Sequence, residues 1–258
     1  MIHFTSIELN ALITSFLWPL TRILGLIATA PVFSNVSIPR RVKVGLGILL
    51  ALIVAPSIQT PTGLEPLSLE GLLILMQQML IGIAMGFSMR LIFSSVEMGG
   101  EIASLTMGLG FATFFNPQSQ GRSAAVSQFF SLMTLMIFLA ANVHLALLST
   151  LIDSFSTMPV TVRPMTGNLA EQVVHWAGRL FSAGLQLSLP IVAALLITNM
   201  ALAILTRAAP QLNLFGIGFP ITLAVGFSMM GLTLPYLATP LANLFQEAIV
   251  TIRRLVGG

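Results

Sequence analysis

Few side chains in this sequence are able to do acid–base or covalent chemistry, and their spacing limits what that chemistry is. Asp153 is the single aspartate, so the facing pair that an intramembrane aspartyl protease requires is excluded. Cysteine is absent, which removes disulfides, thiolate catalysis and cysteine-based zinc sites. A serine hydrolase needs its nucleophile in a GxSxG-like turn beside a histidine base. The tetrad GFSM, at Gly86 to Met89 and again at Gly226 to Met229, supplies half of such a turn, and His144 is the histidine that would serve as base. The plainer reading is that Ser88 and Ser228 bond the preceding helical turn and that His144 is a hydrogen-bonded packing residue. His175 beside Trp176 reads as a pair at a membrane interface. No enzymatic activity, metal or cofactor is expected.

Charges within apolar surroundings carry more information, because each costs a few kcal/mol unless paired or hydrated. Arg90, Glu97 and Glu101 fall on one helical face at spacings of seven and four. Two glutamates one turn apart repel each other and call for cationic partners. Arg22, Arg122 and Arg207 are the candidates, in this chain or a neighbouring subunit. The alternative is a set of helix ends whose long side chains snorkel to the interface.

A third stretch, GLGFATFFNPQSQGR from Gly108 to Arg122, contains no histidine or carboxylate. It sets three phenylalanines beside a polar turn and is too rich in glycine for an ordinary core helix.

The elements that position these residues follow from composition. Of 258 residues, 56% are hydrophobic and 7% charged, with a mean hydropathy of +0.97, which lies outside soluble composition. The chain is predicted to be all-α and membrane-associated, with kinked hydrophobic helices and hairpins. The formal charge of +3 is spread thinly, with no cluster of basic residues and aromatics for nucleic acid. The N-terminus lacks the basic region of a signal peptide, and Pro31 directly after the Ala28-Thr29-Ala30 triplet makes cleavage there unfavourable, so the first segment is expected to be retained.

A helix needs about 20 apolar residues to cross the bilayer core. Six runs qualify, at 9–30 (interrupted by Arg22), 44–64, 71–89, 123–152, 180–206 and 208–246, the last long enough to bend or form a hairpin at Pro235 or Pro240. Arg40, Arg41 and Lys43 between the first two runs, against Glu65 and Glu70 between the next two, orient the N-terminus outward. Arg253 and Arg254 conflict with that scheme, which requires a terminal hairpin or a chain that is no conventional bilayer spanner. Pro19, Pro31, Pro56, Pro190, Pro220, Pro235 and Pro240 break or kink helices, and such breaks persist in apolar surroundings only where protein re-satisfies the backbone. Gly82 and Gly86 form a small-xxx-small pair for close helix packing, and Asn168 with Glu171 resembles a capping box.

Three stretches together carry a resemblance: SIPRRVKVGLGILLALIVAP at 37–56, EMGGEIASLTMGLGFATFFNPQSQGRS at 97–123, and RAAPQLNLFGIGFP at 207–220. They resemble the FliR family, export-gate subunits of the flagellar type III secretion system, in the right order and over nearly the whole chain. The injectisome counterpart, SctT, is the nearest alternative, and the glycine-rich AAPQLNLFGIGFP leans toward the flagellar branch.

The resemblance implies one export-gate domain over residues 1–258, with a FliP-like N-terminal part and a FliQ-like C-terminal part. It implies co-assembly with FliP and FliQ into a closed helical channel for unfolded substrates in the bacterial inner membrane. FlhB would wrap the entrance and FlhA lie beneath, with the gate largely on the periplasmic side and membrane lipids around it. It further implies that Gly108 to Arg122 is a plug loop. Phe111, Phe114 and Phe115 would then form a dewetting constriction, and Gly108, Gly110 and Gly121 would let the backbone move aside. The rival readings are that these phenylalanines pack a helix core, and that the chain is a secondary transporter, which also uses broken helices and buried charges.

Overall fold

The computed structural model describes residues 6–58, 65, 66, 68–111, 125–161, 169–210 and 214–257. Seven α-helices occupy these residues: α1 Ser6–Thr29, α2 Arg40–Val54, α3 Leu69–Thr106, α4 Ala125–Ala140, α5 Val143–Thr157, α6 Leu169–Ala208 and α7 Leu214–Gly257. The described residues contain no strand. α1, α3, α6 and α7 are long and apolar enough to cross a membrane, and α4 with α5 forms a broken pair bent by 64°.

The apolar runs become helices, with α3, α6 and α7 extending past their runs to Thr106, from Leu169 and to Gly257, and with three further differences. The run 44–64 is cut short because α2 ends at Val54 and Pro56 closes it with a 3-10 turn over Ala55–Ser57. The run 123–152 is two helices: Asn142 takes a left-handed conformation (φ 54°) between α4 and α5, a role short polar side chains tolerate. The hairpin considered for the last run does not form. α7 is one helix of 44 residues that passes through Pro220, Pro235 and Pro240. Proline removes one backbone donor at each position but fits helical φ, so a long apolar helix carries it where neighbours cover the break.

The chain divides into two compact units. The first comprises residues 1–91, 142–177 and 245–258. Its buried apolar residues include Trp18, Ile23, Leu26 and Ile27 of α1, Ile81 and Met85 of α3, Leu151 of α5 and Phe245 of α7. α1 and α3 approach to backbone contact. A Cβ on Gly25 would sit 2.8 Å from the Met79 carbonyl, one on Gly82 would overlap the Arg22 carbonyl, and one on Gly86 would meet Thr29 and the Ala30 nitrogen.

The second unit comprises residues 92–141 and 178–244. Val96, Ala103 and Met107 of α3 and its end pack with Val126 and Phe130 of α4, Ile191 and Leu195 of α6, and Leu241 of α7. Phe93 and Phe138 meet edge to face at 5.7 Å. Gly99 and Gly100, adjacent in sequence, each accept a different helix: a Cβ on Gly99 would lie 2.7 Å from the Gly184 carbonyl of α6, and one on Gly100 2.7 Å from Ser127 Cα of α4.

Candidate functional site

The segment Gly108 to Arg122 begins where α3 stops. The last helical bond there is from the Met107 N–H to the Ala103 carbonyl at 3.0 Å. Gly108 then takes φ 86°, a value strained for any residue with a Cβ, and redirects the chain into a 3-10 turn over Leu109–Phe111. α7 fastens this exit. Thr222 Oγ1 reaches the Met107 carbonyl at 3.1 Å, sharing its proton with the Phe219 carbonyl of its own helix at 2.9 Å, and Gly226 leaves the space that the buried Met107 side chain fills. Gly110 is half-buried, with Leu105 Cδ2 3.0 Å from where its Cβ would stand. Phe111 closes the turn with its backbone. Phe114, Phe115, Gly121 and Arg122 lie outside the described residues, as does Asn168. The sequence signals for the anchor were the second GFSM tetrad, which contains Gly226, and the hydroxyl of Thr222 one turn before it in an apolar run.

The charged residues are placed differently from one another. Glu97 and Glu101 are half-buried on α3, while Arg90 and, in the last turn of α6, Arg207 are exposed. Glu97 receives hydroxyls: Ser131 Oγ donates to its Oε1 at 2.8 Å and Ser127 Oγ to its backbone carbonyl at 2.8 Å. A carboxylate accepting from a hydroxyl makes a charge-assisted bond. The i, i+4 pair of serines on α4 is the sequence signal for it.

Arg22 is the centre of the first unit; the sequence marked it as an interruption of an apolar run and as a candidate partner for Glu97 and Glu101, but its hydrogen bonds go to Gln78, Ser154 and Met158 instead. It is 0% exposed. Its Nε donates to Gln78 Oε1 at 2.8 Å, one terminal nitrogen donates to the Ser154 carbonyl at 2.7 Å and to Ser154 Oγ at 3.0 Å, and the other donates to the Met158 carbonyl at 2.8 Å. The guanidinium carbon lies 4.2 Å from the Phe155 ring centroid, close enough for a cation–π contact. Every one of these partners is neutral. Two are carbonyls at the end of α5, that of Ser154, which also accepts the Met158 N–H at 2.9 Å, and that of Met158 just past the last turn, so that a cation meets the negative end of the dipole.

The hydrolase reading fails at Ser88. GFSM there lies in the middle of α3, and Ser88 Oγ donates to the Ala84 carbonyl at 2.7 Å. The Ser88 carbonyl in turn accepts from Trp176 Nε1 at 3.0 Å. Trp176 is therefore a core residue of the first unit and not an interfacial one, whereas His175 is exposed and lies 3.8 Å from Glu171. Among the described residues no group of three or more His, Asp or Glu is arranged to hold a metal.

Residues 13–248 match the family model described as "Bacterial export proteins, family 1". The chain is 42% identical over 248 residues to the flagellar biosynthetic protein FliR of Pectobacterium carotovorum subsp. carotovorum, covering 96% of this chain and 94% of that one. The chain belongs to the FliR family. The FliR of Escherichia coli K12 is 41% identical over the same share of each chain, and that of Bacillus subtilis 29% identical over 95% of each. All three FliR relatives align over nearly their whole length, so the Arg22 centre, the Glu97–Ser131 contact and the α3 exit all fall within the shared FliR region. Membership makes this a protein of flagellar biosynthesis and export, with apolar helices suited to the bacterial inner membrane.

Proposed function

We propose that this chain is a core subunit of the flagellar protein export gate, forming with FliP and FliQ the channel through which unfolded substrates pass. FlhB at the entrance and FlhA beneath are its further partners, and the assembled gate stands largely on the periplasmic side. The observation that carries this reading is the length of uncovered apolar helix. Large exposed apolar side chains recur along α6 from Val174 to Leu205, which at 1.5 Å per residue is about 47 Å. The hydrocarbon core spans about 30 Å. Tilt alone would have to reach about 50°, beyond the usual 0–40°, so lipid does not suffice and neighbouring protein must cover the remainder. α7 repeats the pattern from Ile217 to Val250.

In this reading the chain is a conduit component and catalyses nothing. Its two sequence parts, FliP-like and FliQ-like, lie within one gate domain, and Gly108 to Arg122 is the plug. The left-handed Gly108 and the Thr222 anchor at its base support that assignment, since a closing segment needs one fixed end and a pivot. The conflict posed by Arg253 and Arg254 disappears if the helices do not run as ordinary bilayer spans.

The deciding experiment is an in-frame deletion scored for hook and filament, with secretion of virulence effectors and uptake of small solutes measured in parallel. Loss of hook and filament alone supports the flagellar gate. Normal flagella with an uptake defect would overturn it in favour of a transporter, and loss of effector secretion alone would move the chain to the injectisome.

A further inference from the structure

The corner between α1 and α2 is folded so as to hold two arginines outward. Past Thr29, the Phe33 N–H bonds the Pro31 carbonyl at 2.9 Å around Val32, whose φ of 69° is one that β-branched residues rarely adopt. Asn35 Oδ1 accepts from the Ser37 N–H at 2.9 Å, and the Ile38 N–H bonds the Asn35 carbonyl at 3.1 Å. Lys43 folds back and donates to the Ser34 carbonyl at 2.9 Å. That commits the lysine to the corner, while Arg40 and Arg41 in the first turn of α2 stay exposed. Between Glu8 and Glu65 the sequence has no carboxylate at all, so this stretch supplies positive charge and nothing to neutralise it.

α2 continues the same surface in apolar form. Gly47, Ala51 and Val54 are buried, and Gly47 sits against Leu24 and Ile27 of α1. The remaining flank, with Val42, Ile48, Leu49, Leu52 and Ile53, is exposed. Fifteen residues give about 22 Å of helix, short of the ~30 Å hydrocarbon core. A basic pair thus stands at one end of an uncovered apolar face, and Val36, 97% exposed, projects from the loop beside it.

We propose that this corner binds an anionic phospholipid, its phosphate held by Arg40 and Arg41 and its acyl chains laid along the exposed flank of α2. Guanidinium groups engage phosphate through paired N–H donors, and the flank takes hydrocarbon that water cannot cover. A zwitterionic lipid brings its own cation, which a corner without carboxylates has nothing to pair with, so the charge balance selects an anionic headgroup. The inference is independent of the channel reading and stands whether or not the chain lines a conduit.

The test uses the full chain, purified with whatever subunits accompany it, in nanodiscs of phosphatidylcholine with or without phosphatidylglycerol, and native mass spectrometry counts the lipids it retains. The wild type is expected to retain phosphatidylglycerol over phosphatidylcholine. R40Q/R41Q should lower that retention on the order of tenfold, while R253Q/R254Q, which removes the same charge from the end of α7, should leave it unchanged. No headgroup preference in the wild type, unaltered retention in R40Q/R41Q, or equal loss in both double variants would each overturn the proposal. If R40Q/R41Q does not accumulate, the wild-type comparison still decides, together with a benzophenone side chain placed at Leu49. Cross-linking to lipid supports the site, and cross-linking to a protein subunit means that a partner covers this face and sinks it.

Discussion

Arg22 closes the end of α5: its guanidinium donates to the carbonyl of Ser154 from a helix 132 residues further along the chain, at 2.7 Å. With Gln78 on the other side, one side chain ties α1, α3 and α5 together at a point where none of the three has water to turn to. Arg22→Ala would leave the Gln78 oxygen buried and unsatisfied and the Ser154 carbonyl with only the Met158 N–H as donor, a loss of about 1 to 3 kcal/mol. Arg22→Lys restores the charge but not the fork and should recover only part. The amount of folded chain recovered from membranes, compared with the exposed Arg90→Ala, measures both; equal recovery from all three would show that the contacts are dispensable.

The glycines separate into two kinds that substitution should tell apart. Gly82→Ala drives a methyl into the Arg22 carbonyl and must push α1 from α3, whereas a Cβ at Gly178 or Gly231 meets nothing within 4 Å. Gly178→Ala should therefore stabilise by about 0.5 to 1 kcal/mol through helix propensity, and Gly82→Ala should destabilise. Thermal unfolding in detergent reads the sign directly.

Glu97 and Ser131 should be energetically coupled. Each single alanine variant is expected to lower complex yield, and the double variant should fall short of their sum by about 1 to 2 kcal/mol. In the same series Glu101→Ala and Arg207→Ala should lower yield more than Glu65→Ala or Glu70→Ala. A strictly additive cycle, or four equal yields, would reduce the seam to exposed helix ends.

The plug assignment makes leak and abundance separable. Phe114→Ala with Phe115→Ala removes ring volume and leaves the backbone free, so cells should leak ions while the complex persists and exports at least partly. Thr222→Val, which unfastens the Met107 carbonyl, should raise the leak in the same direction. A fall in complex abundance with no leak would mean that the phenylalanines are packing residues.

Much of the fold was legible because apolar runs and helices are nearly the same thing in a chain with 7% charged residues. The exceptions have local causes. The α4–α5 break is invisible to hydropathy, since Ala141 and Asn142 carry no proline or glycine and the turn rests on one left-handed asparagine. The supposed terminal hairpin was read from prolines that α7 absorbs. The Arg22 centre was hidden for a different reason: its acceptors are backbone carbonyls and a glutamine, groups that no charge pattern reveals. Glu97 was legible as a buried carboxylate calling for a cationic partner, and the structure gives it the hydroxyl of Ser131.

The division of the chain has an optical consequence. Its two tryptophans, Trp18 and Trp176, both lie buried in the first unit, and its single tyrosine, Tyr236, belongs to the second and is 78% exposed. Indole emission, blue-shifted in the native state, therefore reports on the first unit alone. A denaturation curve followed at that wavelength would register melting around Arg22 and stay silent while the second unit came apart, so a smooth fluorescence transition is no proof that the whole chain unfolds in one step. A buried position such as Phe130 is where a reporter for the second unit belongs.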